Sequence, residues 1–146
     1  MNSPAGLGRR LAAVLYDSLL VFGLLYLATS AALALRWVVT QDAGPLRLQG
    51  MPFQLWLLAV MTAYFLVFWR VSGQTPGMRA WRLRLETLDG RRLSLGRGLL
   101  RLGLALLSWL CLGAGYWWLW LDRERRCWHD RWSRTRVVHL SDHRIY

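Results

Sequence analysis

Lysine is missing from this chain: its 19 basic side chains are all arginines, set against only eight acids, for a net charge of +11. A coding bias towards Arg, Gly, Leu and Trp explains such usage as readily as a binding role, so the placement of charge is the better guide. Charge itself is scarce over three long stretches. Leu11 to Leu35 holds 25 residues with one charge, Asp17; Leu48 to Trp69 holds 22 with none, its apolar part starting at Phe53 after Pro52; Leu102 to Leu121 holds 20 with none. About 20 apolar residues cross a hydrocarbon core of about 30 Å. Three such runs in 146 residues leave little room for a water-soluble domain.

Other absences narrow the function. There are two cysteines, Cys111 in the third run and Cys127 in the basic tail, and a disulfide between them would need the tail to fold back onto a membrane helix, so both read as free thiols. His129, His139 and His143 lie near Cys127, but no pair has the spacing of a zinc motif, and no metal or other cofactor is expected. Neither a Ser/His/Asp set nor paired carboxylates suggests hydrolysis, so the chain is not expected to be an enzyme. Basic balance alone would suit nucleic acid, yet most of the arginines flank apolar runs, which points to anionic lipid head groups instead.

The first run has a rival reading as a cleaved signal peptide, with Arg9 and Arg10 as a basic start and small residues in LATSAALAL (27–35). Its length and its acid speak against that, because signal cores are about 7–15 residues. Basic blocks then set orientation. Arg9 and Arg10 precede run one, and Arg70, Arg79, Arg82, Arg84, Arg91, Arg92, Arg97 and Arg101 fill the gap before run three, whereas the first connector carries only Arg36 and Arg47. The N-terminus and second connector are expected in the cytoplasm. The tail, DRERRCWHDRWSRTR, is the most basic stretch of all, and three simple spans would place it outside. Gly113 and Gly115 in LGAGYWW suggest a re-entrant helical hairpin that returns it to the cytoplasm; the alternative is a plain third span. Trp37, Trp56, Trp69, Trp117, Trp118 and Trp120 suit an interfacial belt.

The expected organisation is thus one all-α membrane domain over 1–146. It has helix 1 at 11–35, helix 2 at 53–69, a small cytoplasmic β-hairpin at 81–95, a hydrophobic segment at 98–121 and a basic tail at 122–146. The hairpin rests on the alternation of Leu83 and Leu85 with Arg82, Arg84 and Glu86, the turn dipeptide Asp89-Gly90, and a resumed alternation at Leu93 and Leu95. A basic amphipathic helix on the lipid surface is the other reading of that stretch. Upstream, GQTPGMR offers Thr75 as an N-cap and Pro76 as a first helical residue. Its glycines, Gly73 and Gly77, match neither a P-loop nor a dinucleotide fingerprint.

Asp17 is the residue that most needs explaining. A charged acid within the membrane costs on the order of 2.5–3.5 kcal/mol even on the gentler scales unless it is paired, protonated or hydrated. Arg10 is seven residues away, close to two helical turns or about 10 Å, too far for a relaxed pair. We expect Arg101, at the threshold of run three, to meet Asp17, and Arg10 to meet Asp130 from WHDRW in the tail. These pairs either hold helices in register or let Asp17 gate a proton or cation path. A path of useful size would need more helices than one chain supplies, hence a homo-oligomer or larger membrane complex.

With those residues in view, the sequence resembles the RDD family of small bacterial membrane proteins, named for one arginine and two aspartates. RRLAAVLYD (Arg9 to Asp17) is similar to the family's opening, GQTPGMR (Gly73 to Arg79) to its central loop, LDGRRLSLGRGLLR (Leu88 to Arg101) to the stretch entering the third hydrophobic segment, and DRERRCWHDRWSRTRVV (Asp122 to Val138) to its closing segment. The resemblance implies that the name-giving residues are Arg10, Asp17 and Asp130, that the chain lies in a bacterial inner membrane, and that its role is in transport, with sodium/proton exchange proposed for some members. One departure is visible: Met78 and Arg79 stand where the family's loop commonly has lysine after the second glycine, and Trp81 and Arg82 stand where smaller or apolar residues are usual. The function expected is an ion-transport or transport-associated component, or else a non-transporting scaffold that grips anionic lipid or a partner membrane protein.

Overall fold

The computed structural model of the chain describes residues 3–41, 50–89, 93–111, 118 and 127–140. Two long helices carry most of the apolar sequence. Helix α1 (Leu7–Thr40) starts after extended Gly6 and ends at left-handed Gln41. Helix α2 (Met51–Val71) starts with Pro52 in its first turn and ends with Arg70 in its last. Both exceed the stretches expected, 11–35 and 53–69, because flanking residues such as Arg9, Arg10 and Arg70 continue the helix into the polar region. At 1.5 Å per residue α1 is about 51 Å long and α2 about 32 Å, so α2 matches a bilayer core and α1 projects beyond it or tilts.

Burial decides what these helices are. Only 6% of the most apolar window of either is buried within the protein, whereas the core helix of a soluble domain would be largely enclosed. Leu15, Leu19, Phe22 and Leu27 on α1, and Leu55, Val67 and Val71 on α2, all face outwards. Such a continuous apolar surface suits lipid better than water. The buried positions of α1 are Arg10, Ala13, Asp17 and Val21, a single stripe at three- and four-residue spacing on which everything else is assembled.

That assembly consists of two similar units at one end of the long helices. Helix α3 (Pro76–Ala80) leads through Trp81 and Arg82 into strand β2 (Leu83–Thr87). Past α4 (Leu95–Leu110), helix α5 (Trp128–Trp132) leads through Ser133 and Arg134 into strand β3 (Thr135–His139). In each unit five helical residues, a two-residue link and five strand residues follow one another, and the arginine of the link takes a positive φ, 53° at Arg82 and 52° at Arg134. The first unit docks on α1 and the second on α4. Their strands pair antiparallel in the register Leu83↔His139 to Thr87↔Thr135, and a short β1 (Ser3–Pro4) joins the far side of β3, giving the order β1-β3-β2. Leu83, Leu85 and Val137 form the core beneath the sheet with Ala5, Ala13, Trp69, Met78, Leu93 and Leu102.

This pairing corrects the expected hairpin over 81–95. The strand beginning at Leu83 is present, but its partner is Thr135–His139 and not Leu93–Leu95. Ser94 is instead the N-cap of α4, its Oγ accepting from the backbone N–H of Arg97 at 3.3 Å, and Asp89 pairs with Arg97 at 2.8 Å. A helix start outcompetes a local return strand because the tail offers Val137 and Val138 as apolar partners for the same edge. The amphipathic-helix alternative for this stretch is excluded by the same strand. Gly90, Arg91 and Arg92 lie outside the described residues. So do residues 112–117, which carry the glycines of the re-entrant turn; of the segment 98–121, α4 accounts for the part to Leu110.

Candidate functional site

Two carboxylates organise the interior, each bound to a different set of donors. Asp130, in α5, is fully buried. Arg10 of α1 donates through Nη1 to Asp130 Oδ2, and Arg101 of α4 donates through Nη1 to Asp130 Oδ1. The backbone N–H of Cys127 adds a third bond to Oδ2 at 3.3 Å. The rest of the Arg10 guanidinium is used as well: Nε donates to the Ala5 carbonyl at 3.1 Å, Nη2 to the Val137 carbonyl at 3.3 Å, and Nη1 also to Cys127 Sγ at 3.2 Å. Arg101 Nη1 also reaches Thr135 Oγ1 at 2.7 Å. One carboxylate therefore clasps α1, α4, α5 and β3. The planar fork of arginine is what permits so many bonds in fixed directions from one charge.

The indole of Trp69, at the end of α2, lies under the Arg101 guanidinium at 5.4 Å from ring centroid to Cζ, a distance suited to a cation–π contact. Phe65 braces that indole at 5.4 Å between centroids. Helix α2 is thereby tied to the clasp without contributing a charge to it.

Asp17 lies in a different setting from the one its sequence suggested. The pairing expected between Asp17 and Arg101 is corrected: Arg101 is committed to Asp130, whereas Asp17 Oδ1 accepts from Tyr64 Oη at 3.0 Å and from the Gly77 N–H at 2.9 Å, and Oδ2 accepts from Thr75 Oγ1. The reason is positional, since Asp130 sits between the two arginines while the start of α3 packs directly on α1. Gly77 allows that approach. A Cβ there would lie 2.4 Å from the Ala13 carbonyl oxygen and 2.7 Å from Asp17 Cγ. Thr75 has two roles, capping α3 by accepting from the Met78 N–H at 3.2 Å and handing its own proton towards Asp17. Gly73 turns the chain with φ of 69°, and Pro76 opens α3. Arg79 stands apart, its side chain exposed. The expected pairing of Arg10 with Asp130 is present.

Electrostatics follow from this arrangement. Burial works against ionising Asp130, but Arg101, Arg10 and His129 outweigh it and hold its carboxyl well below the usual carboxylate range. Burial pushes the Cys127 thiol up to about 11, with Asp130 adding to the rise and the two arginines offsetting part of it. Burial likewise pushes His129 down to about 4, so its ring is neutral at physiological pH. Ligand atoms of Cys127, His129 and Asp130 lie within 4.8 Å of one another. A divalent cation there would have to displace both guanidinium groups from Asp130 and deprotonate a thiol that resists it, so the trio fits the interior of a clasp better than an ion cage.

The depressed His129 sets a pH dependence with a definite sign. The unfolded chain takes up a proton near 6.5 and the folded chain only near 4, so stability is complete above about 6.5 and falls as pH drops from there towards 4. The expected loss is a few kcal/mol. Thermal unfolding of the detergent-solubilised protein should show the midpoint falling across this window, with a His129→Gln variant nearly flat over it. A wild-type midpoint that stays constant between those values would contradict the assignment.

Between α1, α2 and α4 lies a cavity of about 410 Å³ that both carboxylate sites border. Its lining comes from one face of each helix: Arg10, Ala13, Val14, Asp17, Val21 and Leu25 on α1; Met61, Phe65 and Trp69 on α2; Arg101, Leu102, Ala105, Leu106 and Trp109 on α4. The end nearest the sheet is polar, with Arg10, Arg101, Thr75 and His129, and the lining turns apolar along the helices. Sequence reasoning missed Tyr64, Trp69, Cys127 and Thr135 as members of this site. A hydroxyl in an uncharged apolar run was a usable signal for Tyr64; the other three are brought in only by packing.

No curated protein and no solved structure matches the chain. A family model does match, over residues 4–134, a span that holds Arg10, Asp17, Arg101 and Asp130. This membrane protein, with its arginine and aspartates gathered at one end of two bilayer-length helices, belongs to the RDD family.

Proposed function

We propose that the chain is an ion-transport or transport-associated component of a bacterial inner membrane, not an enzyme, with Asp17 as its proton- or cation-binding carboxylate. One observation carries this reading: Asp17 is 5% exposed and borders the cavity, yet among the described residues its charge is met by a tyrosine, a threonine and a backbone N–H instead of by an arginine. Neutral donors stabilise an anion without cancelling it. A proton or a monovalent cation can then occupy the site at a cost far smaller than breaking an ion pair.

Orientation follows from the basic end of the molecule. Arg70, Arg79, Arg82, Arg84, Arg131, Arg134 and Arg136 are all exposed around the helix ends, their links and the sheet, which favours this end, with both termini, in the cytoplasm. Each arginine near an anionic surface adds about 1 kcal/mol of attraction to lipid head groups. The two membrane-length helices among the described residues are too few to enclose a conduit, so transport would involve a homo-oligomer or a larger membrane complex.

The test is cation flux driven by a pH gradient in proteoliposomes. Wild type is expected to carry pH-dependent flux, and Asp17→Asn to lose it while retaining its helicity and most of its stability. The asparagine still accepts from Tyr64 and Gly77. A second reading, a scaffold without transport, is favoured by the fully buried Asp130 clasp. It would prevail if wild type carries no flux while Asp17→Ala loses stability.

A further inference from the structure

The cavity has a chemistry that the carboxylate site does not use. Along α4 its lining runs from Arg101 through Ala105 to Trp109, eight residues or about 12 Å, from a guanidinium to a largely apolar end. Met61 faces that apolar end from α2 and Leu25 from α1. At about 410 Å³ the space lies within the range of small-molecule sites. Apolar walls of this kind hold water poorly, and dispersion contacts favour filling them with hydrocarbon, which the surrounding bilayer supplies.

The polar end selects which hydrocarbon. Arg10, Arg101 and Asp130 together carry one net positive charge. Both hydrogen bonds of Arg101 leave from Nη1, so the Nε and Nη2 edge of this cavity-lining fork is directed at no acceptor among the described residues. Asp17 lines the same cavity, and its charge, spread over the Tyr64, Thr75 and Gly77 donors, opposes an anion but does not occupy the Arg101 edge. A fork on a buried guanidinium is matched by a carboxylate or a phosphate, two bonds at once.

We infer that the cavity binds a single acyl chain carrying an anionic head group, with the head on Arg101 and the chain along Ala105, Met61 and Trp109. The shared chemistry is an acid on one hydrocarbon chain, whether a free fatty acid or one chain of an acidic phospholipid. Binding does not require a cation on Asp17, although one there would relieve the repulsion and strengthen it.

Photocrosslinking of the full chain in phosphatidylcholine nanodiscs tests this. The probes are palmitic acid, phosphatidylglycerol and hexadecanol, each with a diazirine on the acyl or alkyl chain, and labelled positions are read by peptide mass spectrometry. Saturable labelling at Met61, Leu102 and Ala105, which line the cavity and are not exposed on the outer surface, is expected from at least one acidic probe, about tenfold above the alcohol. Dominance of palmitic acid identifies a free acid as the ligand, and dominance of phosphatidylglycerol a membrane lipid held by its phosphate. Arg101→Gln should lower cavity labelling about tenfold. Because that variant also weakens the clasp, Ala105→Phe, which fills the cavity without touching Asp130, should lower it independently. Labelling at the lipid-facing Leu19 and Leu55 should not change. Equal cavity labelling by the alcohol, or cavity labelling that survives Ala105→Phe in folded protein, overturns the inference.

Discussion

Asp130→Asn is expected to lower stability by about 3–5 kcal/mol, the loss seen when one partner is removed from a buried ion pair. The change is nearly isosteric, so the effect is electrostatic. Arg10 and Arg101 are 5% and 6% exposed, and with the carboxylate gone two guanidinium groups remain close together, enclosed and uncompensated. Through its two arginines this one side chain ties α1, α4, α5 and β3 together, so the loss should be global and not confined to α5. Unfolding by denaturing detergent, followed by tryptophan fluorescence, measures it. Arg97→Gln supplies the comparison: its pair with Asp89 is partly open to solvent, and exposed pairs contribute up to about 1 kcal/mol. Similar losses in the two variants would show that the clasp does not hold the molecule together.

Gly77→Ala should produce the second large effect, about 3 kcal/mol or more. The added methyl would sit 2.4 Å from the Ala13 carbonyl oxygen, and a helix carbonyl cannot rotate away as a side chain can. Helix α3 must then lift off α1. Lifting adds to the 1–3 kcal/mol of ordinary overpacking the cost of a buried carboxylate deprived of the Gly77 and Thr75 donors. Gly23→Ala is the control, because a Cβ at Gly23 meets nothing within 4 Å and alanine in a helix interior is favoured by up to about 1 kcal/mol. Thermal melts of both variants in one detergent decide the matter. A Gly77→Ala protein as stable as wild type would mean that α3 does not pack on α1 as described.

The difference between these glycines also shows where sequence reasoning stops. Gly23 stands in an apolar run and Gly77 in a turn-like loop, and neither setting reports whether a methyl group would fit. Gly77 is constrained by a residue 64 positions earlier, Ala13, which no periodicity reports. Capping, in contrast, is local, and Thr75 with Pro76 was readable as a helix start because a hydroxyl and a fixed φ act on their immediate neighbours.

The same distinction separates the two carboxylates. That Arg10, Asp17, Arg101 and Asp130 belong to one interior was readable, since charges beside or within apolar runs must find partners. Which acid meets which arginine was not. Depth along the helices made Arg101 a fair partner for Asp17, but the choice is made by α5, which places Asp130 between Arg10 and Arg101. The strand at Leu83 tells a similar story: its alternation was visible, and its partner, about fifty residues later, was not.

By itself the sequence determined the long apolar helices, the start of α3, the alternating strand and the set of buried charges, because each follows from local periodicity, capping or the cost of a charge in lipid. Tertiary structure alone decided the pairing of β2 with β3, the assignment of Arg101 to Asp130, the neutral donors around Asp17 and the cavity between the helices. These depend on contacts between residues far apart in the chain, and among several partners of adequate chemistry only packing selects one.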